Sequence, residues 1–475
     1  MIIDGKYVTS QRVFDVYNPF SKEKVGTIPV ASADQVQKAL RLSYETKPKL
    51  TGSDRAKVLR NVSNLLLKNK RNLAELITSE AGLCIKDTMH EIDRVSNVAL
   101  CASTIAEFIE KDTTNDYVIE SQEGRPTLKV ITEPMDLVVG ITPFNHPMNQ
   151  VAHKVFPAIA AGTCLVLRPS SKTPLSAIKL GQLLIEAGLG KNMLNIVTDD
   201  LGKAAARQMI TSPLVDMVTF TGGLEAGLDI ARKMADSGNI LKKYVSELGG
   251  CSALIVNDDA DIERSARETL KGCFKNSGQR CTAIRMIIVI KSVAEIFVKR
   301  LVGEVEKLKY GDPYDETVDM GTVISEEAAI VLEERVSNAI KDGADLLLGN
   351  KRDGALYSPT VLDNVNIDSE LVSNETFGPI APIIRVENLD EAISFAKKTG
   401  YRLAGAVMTK KREIAEKVSN ELIVGQFSWN GFPSYRTEAA PFGGFKNSGN
   451  GEKEGIVLMT RAMKRIRTFY EHESN

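Results

Sequence analysis

The 475-residue sequence lacks the marks of a membrane-spanning, nucleic-acid-binding or disulfide-stapled protein. No stretch approaches the roughly 18 to 20 uninterrupted apolar residues that a membrane-spanning helix needs, and its longest apolar runs are strand-sized. Charge of one sign is also missing. With 60 Lys and Arg against 61 Asp and Glu, the formal net charge is −1, so no broad excess is available to neutralise a phosphate backbone and nucleic acid is not expected as a partner. The six cysteines (84, 101, 164, 251, 273 and 281) form no CxxC and do not combine with the four histidines at zinc-ligand spacing. No metal site is therefore expected, and the scattered thiols point to a reducing cytoplasm. The opening MIIDGKYVTS lacks a basic stretch followed by an apolar run, so it reads as two short strands around Asp4-Gly5 and not as a signal peptide. Internal repeats and low-complexity linkers are absent as well.

What is present is ordinary globular composition, 43% hydrophobic and 25% charged, on a chain long enough for two or more domains. Residues 32–81 read as helical, opened by a Ser32/Gln35 capping box and carried by apolar residues at helical spacing. Residues 112–133 are polar with short β-prone runs and read as a hairpin arm. Beyond Met135 strands and helices alternate. LVVGIT, CLVLRP, NMLNIVT and MVTFTGG are strand-like, and helices are expected over 147–161, over 174–187 with Thr173 as N-cap and Pro174 at N1, over 202–209, and from Leu224. A second alternating block starts near Gly249. Such repeated units imply an α/β protein with parallel sheets covered by helices.

Four features could carry chemistry. KNSGQRCTA delivers Cys281 at the edge of an apolar strand, either as a nucleophile whose thiolate the adjacent Arg280 favours or as a buried structural cysteine. In VSELGG, Glu247 ends a strand, either as a desolvated carboxylate able to deprotonate water or as a solvated strand end. In ITPFNHP, Asn145 could donate its amide to a developing oxyanion or cap the helix that opens at Pro147. FTGGLEAG places Gly222, Gly223 and Gly227 between a strand and a helix, a turn that lets a pyrophosphate approach backbone N–H groups although it is not GxGxxG.

The ordered set Asn145, FTGG, ELGG, GQRC, ETFGP and PFGG resembles the aldehyde dehydrogenase superfamily over nearly the whole chain. That resemblance implies a Rossmann-like cofactor domain (1–111 and 134–246), an α/β catalytic domain (247–449) and a β oligomerisation arm (112–133 and 450–475) building a homodimer or homotetramer. It implies Cys281 as nucleophile, Asn145 with the Cys281 N–H as oxyanion hole, and Glu247 as the base that releases a free acid by hydrolysing a thioester. It further implies a dinucleotide site of Thr142, Pro143, Phe144, Arg168, Ser170, Ser171, Gly222, Gly223, Gly227, Leu248, Glu375 and Phe377, with Glu375 on the nicotinamide ribose. A non-catalytic protein of this fold is the alternative of another class, and it would be expected to have lost Cys281 or Glu247.

FNHPMNQVAHK, KNSGQRCTA, GNKRDGALYSPTV and the YR before TEAAPFGG are similar to the phosphonoacetaldehyde dehydrogenase branch, with a lactaldehyde or glyceraldehyde branch next. Arg94, His146, Arg280 and Arg436 are accordingly expected to bind a small anionic aldehyde, because guanidinium forks suit a phosphonate head group. Arg94 and Arg436 could instead make structural ion pairs, for instance with Glu91 or Glu438. In LVLRPSSK the family's usual Lys is Arg168, and Ser171 stands where many NAD-dependent members place an acid. With Lys172 nearby, this predicts that NADP is tolerated or preferred over NAD.

Overall fold

The computed structural model describes residues 1–111, 118–119, 126–239 and 241–472. Its first sheet contains five parallel strands, Leu137–Ile141, Cys164–Arg168, Leu194–Ile196, Met217–Thr221 and Lys243–Glu247, lying side by side in the order fifth, fourth, first, second, third. Runs such as LVVGI and MVTFT are apolar almost throughout because helices bury both faces of the sheet. The strand order reverses between Leu137–Ile141 and Met217–Thr221, leaving a crevice at their carboxyl ends. The hairpin Ile2–Ile3 with Lys6–Tyr7 extends the far edge. Asp4 and Gly5 both adopt left-handed φ, 58° and 68°, as its two-residue turn requires.

A second seven-stranded sheet runs in the order Asp345–Leu348, Thr360–Asp363, Ile380–Val386, Ile284–Ile290, Ser252–Val256, Ala404–Met408, Gln426–Trp429. All its pairings are parallel except that of Asp345–Leu348, at the edge. A separate antiparallel sheet pairs Lys464–Glu471 with Thr127–Pro134, and the latter with Val118–Ile119. Of the arm expected over 112–133, residues 112–117 and 120–125 lie outside the described residues. Helix Ile456–Ala462, placed by sequence within the arm, instead packs into the core of the first sheet. Ile456 and Met459 of this helix, and Met463 just past its end, are fully buried there.

The Ser32/Gln35 capping box forms, and helix Pro147–Ala161 begins with Pro147 in its first turn. The expected Thr173 cap does not form. Pro174 is the cap residue of helix Leu175–Glu186, and the N–H groups of Leu175 and Ser176 donate to the Glu80 carboxylate at 2.7 and 3.0 Å. A carboxyl group brought from another helix thus replaces a local hydroxyl as acceptor for these N–H groups.

Candidate active site

The candidate site residues collect where the carboxyl ends of the first sheet meet the amino ends of the second. Strand Leu137–Ile141 delivers Thr142 to Asn145, and strand Lys243–Glu247 ends on Glu247. Cys281 precedes strand Ile284–Ile290, and Glu375 precedes Ile380–Val386. The segment before Cys281 is bent tightly, with Asn276, Ser277 and Gly278 all left-handed at φ 61°, 52° and 67°. A side chain on Gly278 would meet the Gly378 carbonyl at 2.1 Å, so glycine is required there for both reasons.

Several groups hold this bend. The Asn276 N–H donates to Asp87 at 2.9 Å, and its amide donates to the Asn145 carbonyl at 3.0 Å. The fully buried Arg285 guanidinium donates to the carbonyls of Gly378, at 2.7 Å, and Gly278. The Ile324 N–H donates to the Gln279 side chain at 2.8 Å. Sequence reasoning did not pick out Asp87, Asn276, Gln279 or Arg285. Only Arg285 had a usable signal, as a lone cation in the otherwise apolar strand IRMIIVI, which must find acceptors once buried.

Asn145 is buried and its amide donates to the Gln279 carbonyl at 2.8 Å, leaving its second N–H for another acceptor. It does not cap the following helix. The cap position is His146, which makes no side-chain cap bond, and Glu91 accepts from Met148 N–H and Asn149 N–H at 2.9 Å each. Glu247 is not a solvated strand end: only 1% of its surface is exposed, and neither carboxyl oxygen has a hydrogen-bond partner. Burial, then the neighbouring Glu454 charge, push its carboxyl well above the usual range, which favours the protonated form. Beside it Lys154, fully buried, donates to Glu454 and Thr219 at 2.6 and 2.9 Å. A single lysine in the apolar helix PMNQVAHKVFPAIAA was the sequence signal for that pair.

The half-buried Cys281 corrects one expectation. Arg280 and Arg436 do favour its thiolate, but burial, Glu375 and Glu247 outweigh them and push the thiol up to about 12. At rest it is a thiol and not a thiolate. Cys281 lies in a small inner cavity of about 50 Å³ with Arg94, Asn145, His146, Arg280 and Arg436. The inner cavity shares Arg94, His146, Arg280 and Arg436 with an outer one of about 660 Å³. His146 is half-buried, and burial, Arg94 and Arg280 push it well below the usual imidazole range.

The arginines differ from one another. Arg94 donates through Nε and Nη2 to Glu438 at 2.8 and 3.2 Å, so the ion-pair alternative is the arrangement found for it. Arg280 lies over the Phe432 ring at 5.7 Å, and its Nη2 donates to the Ser434 carbonyl at 3.4 Å. Arg436 stacks on Phe442 at 4.3 Å and donates to His153 Nδ1 at 3.3 Å. Among the described residues neither Arg280 nor Arg436 has a carboxylate partner, and Arg280 Nη1 and Arg436 Nε are buried without acceptors.

The candidate dinucleotide residues border the crevice of the first sheet. A cavity of about 690 Å³ is lined by Gly223, Leu224, Arg335, Glu375 and Tyr401 among others. A side chain built on Gly223, the cap of helix Leu224–Asp236, would meet nothing within 4 Å, so the helix N-terminus faces open space. Gly222 and Gly227 serve packing, since their side chains would strike Phe220 and Leu248 at 2.4 Å. Phe144 and Phe377 meet edge to face at 5.8 Å. Glu375 accepts from Gly250 N–H at 3.1 Å, and burial pushes its carboxyl up to about 7. Thr142 N–H donates to the Arg168 carbonyl, Pro143 follows, and Leu248 N–H donates to the Ser448 carbonyl. Ser170 Oγ accepts from Lys172 N–H at 3.2 Å. Arg168 donates to Ser171 Oγ at 2.8 Å with the Asp199 carboxylate 4.0 Å away, whereas the Lys172 ammonium lies over Phe144. An open helix N-terminus beside a carboxylate and aromatic side chains fits a dinucleotide.

Residues 7–468 match the sequence model of the aldehyde dehydrogenase family. The chain is 35% identical to the 3-sulfolactaldehyde dehydrogenase of Priestia aryabhattai, over 96% of this chain and 94% of that protein. It is 34% identical to the lactaldehyde dehydrogenase of Methanococcus maripaludis, over 99% and 100%. Its structure matches the NADP-dependent glyceraldehyde-3-phosphate dehydrogenase from Bacillus halodurans C-125 complexed with NADP, with a TM-score of 0.92 at 32% identity, covering 99% and 98% of the two chains.

Proposed function

The chain belongs to the aldehyde dehydrogenase family and is an NAD(P)-dependent oxidoreductase, and from that premise we propose that it oxidises a short aldehyde with an anionic head group to the free carboxylic acid. The observation that carries this reading is the pair of guanidinium groups, Arg280 and Arg436, lining the Cys281 cavity with buried N–H groups that lack acceptors. Buried donors without partners cost stability, and a phosphonate or sulfonate oxygen would satisfy them. Phosphonoacetaldehyde, expected from the local sequence, and 3-sulfolactaldehyde, named for a relative, both carry such a head group. Lactaldehyde is the second reading. The name of the Methanococcus relative supports it, as does the engagement of Arg94 by Glu438, which removes one cation from service.

In this mechanism the Cys281 thiol gives its proton to solvent water, its sulfur adds to the aldehyde carbon, and the carbonyl oxygen takes up the negative charge. The second amide N–H of Asn145 and the backbone N–H of Cys281 hold the oxyanion. A dinucleotide held in the crevice, with Glu375 on its ribose, would supply the acceptor for the hydride that this carbon gives up as its oxyanion returns to a carbonyl, leaving a thioester on Cys281. Glu247, once deprotonated, takes a proton from the water that hydrolyses the thioester, releasing the acid and returning Cys281. A branch that passes the acyl group to another thiol would have no use for that carboxylate.

Lys172, and the absence of an acid at Ser171, support acceptance of NADP beside NAD. Arg168 contributes less than the sequence suggests, being held by Ser171 and faced by Asp199. The exposed Val118, Ile119, Ile466, Phe469 and Tyr470 of the three-stranded sheet support a homodimer or homotetramer assembled through it. No helix among the described residues is long and apolar enough to cross a membrane.

The test is a panel of phosphonoacetaldehyde, 3-sulfolactaldehyde, lactaldehyde and propanal, each with NAD and with NADP, on wild-type, Cys281→Ala and Arg280→Ala enzymes. The expected result is the highest kcat/KM for an anionic aldehyde, loss of turnover in Cys281→Ala, and a selective loss on anionic substrates in Arg280→Ala. Propanal as the best substrate, with its rank unchanged in Arg280→Ala, would sink the proposal.

A further inference from the structure

Within that reading, on which it rests, one side chain is out of place. Of the three carboxyl groups lining the outer cavity, Asp87 accepts from Asn276 N–H and Glu91 from Met148 and Asn149 N–H, which leaves Glu438 as the one that pairs with a cavity arginine. Glu438 lines the outer cavity with its side chain only 10% exposed. Its two oxygens accept from Arg94 at 2.8 and 3.2 Å, and the second also accepts from His153 Nε2 at 3.0 Å. The other nitrogen of that ring, Nδ1, accepts from Arg436 Nη2 at 3.3 Å. A neutral imidazole satisfies both bonds, with its proton on Nε2. Burial and Arg436 hold His153 down at about 4, so it adds no charge. Burial pulls the Glu438 carboxyl up, yet the bonds from His153 and Arg94 prevail and keep it ionised, at about 2.

The chain Arg94–Glu438–His153–Arg436 therefore does two things. It fixes the direction of two guanidinium groups, and it cancels the charge of one of them. Without Glu438, the Arg94, Arg280, Arg436 and Lys275 cations of the outer cavity would face Asp87 and Glu91 alone, an excess of two positive charges suited to a doubly charged head group. With Glu438 the excess falls to one, which matches a singly charged head group.

We infer that Glu438 is a specificity-determining residue that sets the cavity for aldehydes with a singly charged head group, of the sulfonate class, in preference to doubly charged phosphonates. It acts by positioning and by charge and does not touch the reacting atoms.

The experiment compares kcat/KM for sulfoacetaldehyde and phosphonoacetaldehyde, matched in length, with dinucleotide at saturation. The pH is kept well above the second ionisation of a phosphoryl-type group, roughly 6. In Glu438→Gln the phosphonate-to-sulfonate ratio is expected to rise about tenfold, the scale of removing one nearby charge from a partly screened cavity. In Glu438→Asp, which keeps the charge, the ratio stays near that of wild type even if both rates fall. Should Glu438→Gln fail to fold because Arg94 is left unpaired, the double variant Arg94→Gln/Glu438→Gln is compared with Arg94→Gln, and the same rise is expected between those two. A ratio unchanged or lowered on removing the Glu438 charge overturns the inference. Failure of the underlying reading is separate: it shows in the wild type, as propanal outpacing both charged aldehydes.

Discussion

Gly250→Ala isolates how closely the Cys281 backbone is held. Gly250 does not adopt left-handed φ, so the substitution adds volume without backbone strain. A side chain there would lie 2.3 Å from the Cys281 carbonyl and 3.2 Å from Leu403, where ordinary contact begins at 3.4 Å, so about 1 Å must be found. Strand Ser252–Val256 cannot supply it, being paired along its length with Ile284–Ile290 and Ala404–Met408. The displacement falls on the Cys281 loop. Overpacking of this kind costs about 1–3 kcal/mol, or several degrees in thermal midpoint for a chain of this size. A misplacement of ~1 Å at the reacting atom costs on the order of a hundredfold in kcat/KM. Thermal unfolding and steady-state kinetics on the same preparation give both numbers. Gly223→Ala is the control, because its added carbon meets nothing within 4 Å; its midpoint should match wild type, with any loss confined to the dinucleotide KM. Activity of Gly250→Ala within about threefold of wild type would refute the argument that packing places the sulfur.

The remaining predictions concern protons. Because the Cys281 thiol is held near 12 and the thiolate is the reactive form, its alkylation by iodoacetamide in the free enzyme should climb about tenfold per pH unit through the neutral and mildly alkaline range. Glu375→Gln should speed the reaction and Arg280→Ala slow it, whereas a plateau near neutrality would contradict the assignment of a resting thiol. Glu80 is raised from 4.5 to about 7 by burial, against the bonds from Ser176 and Leu175. The folded state therefore holds its proton more tightly than the unfolded state, and this contribution is complete below pH 4.5 and lost as pH rises through about 7. Denaturation midpoints of Glu80→Gln should vary less than those of wild type across that window, and parallel curves would exclude Glu80 as the source.

The sequence alone determined the features that depend on neighbours along the chain. The apolar runs LVVGIT and MVTFTGG are strands because residues with both faces buried must be apolar throughout. Asp4-Gly5 is a turn because both positions tolerate left-handed φ, and Ser32 with Gln35 caps a helix because their side chains reach the local N–H groups. The order of Asn145, ELGG, GQRC and ETFGP carried the family. Only tertiary structure decided what distant groups do to one another. Asn145 is free of the capping task because Glu91 arrives from another helix, and Thr173 is displaced by Glu80 in the same way. Arg280, next to Cys281 in the chain, does not make it a thiolate, because burial and two carboxylates from other segments outweigh one adjacent cation. Arg94 and Glu438 are separated by more than three hundred residues, and no local pattern reports that they share a charge. Hydrogen bonding within a turn is written in consecutive residues; electrostatics in a buried cavity depends on every charge that the fold brings within reach.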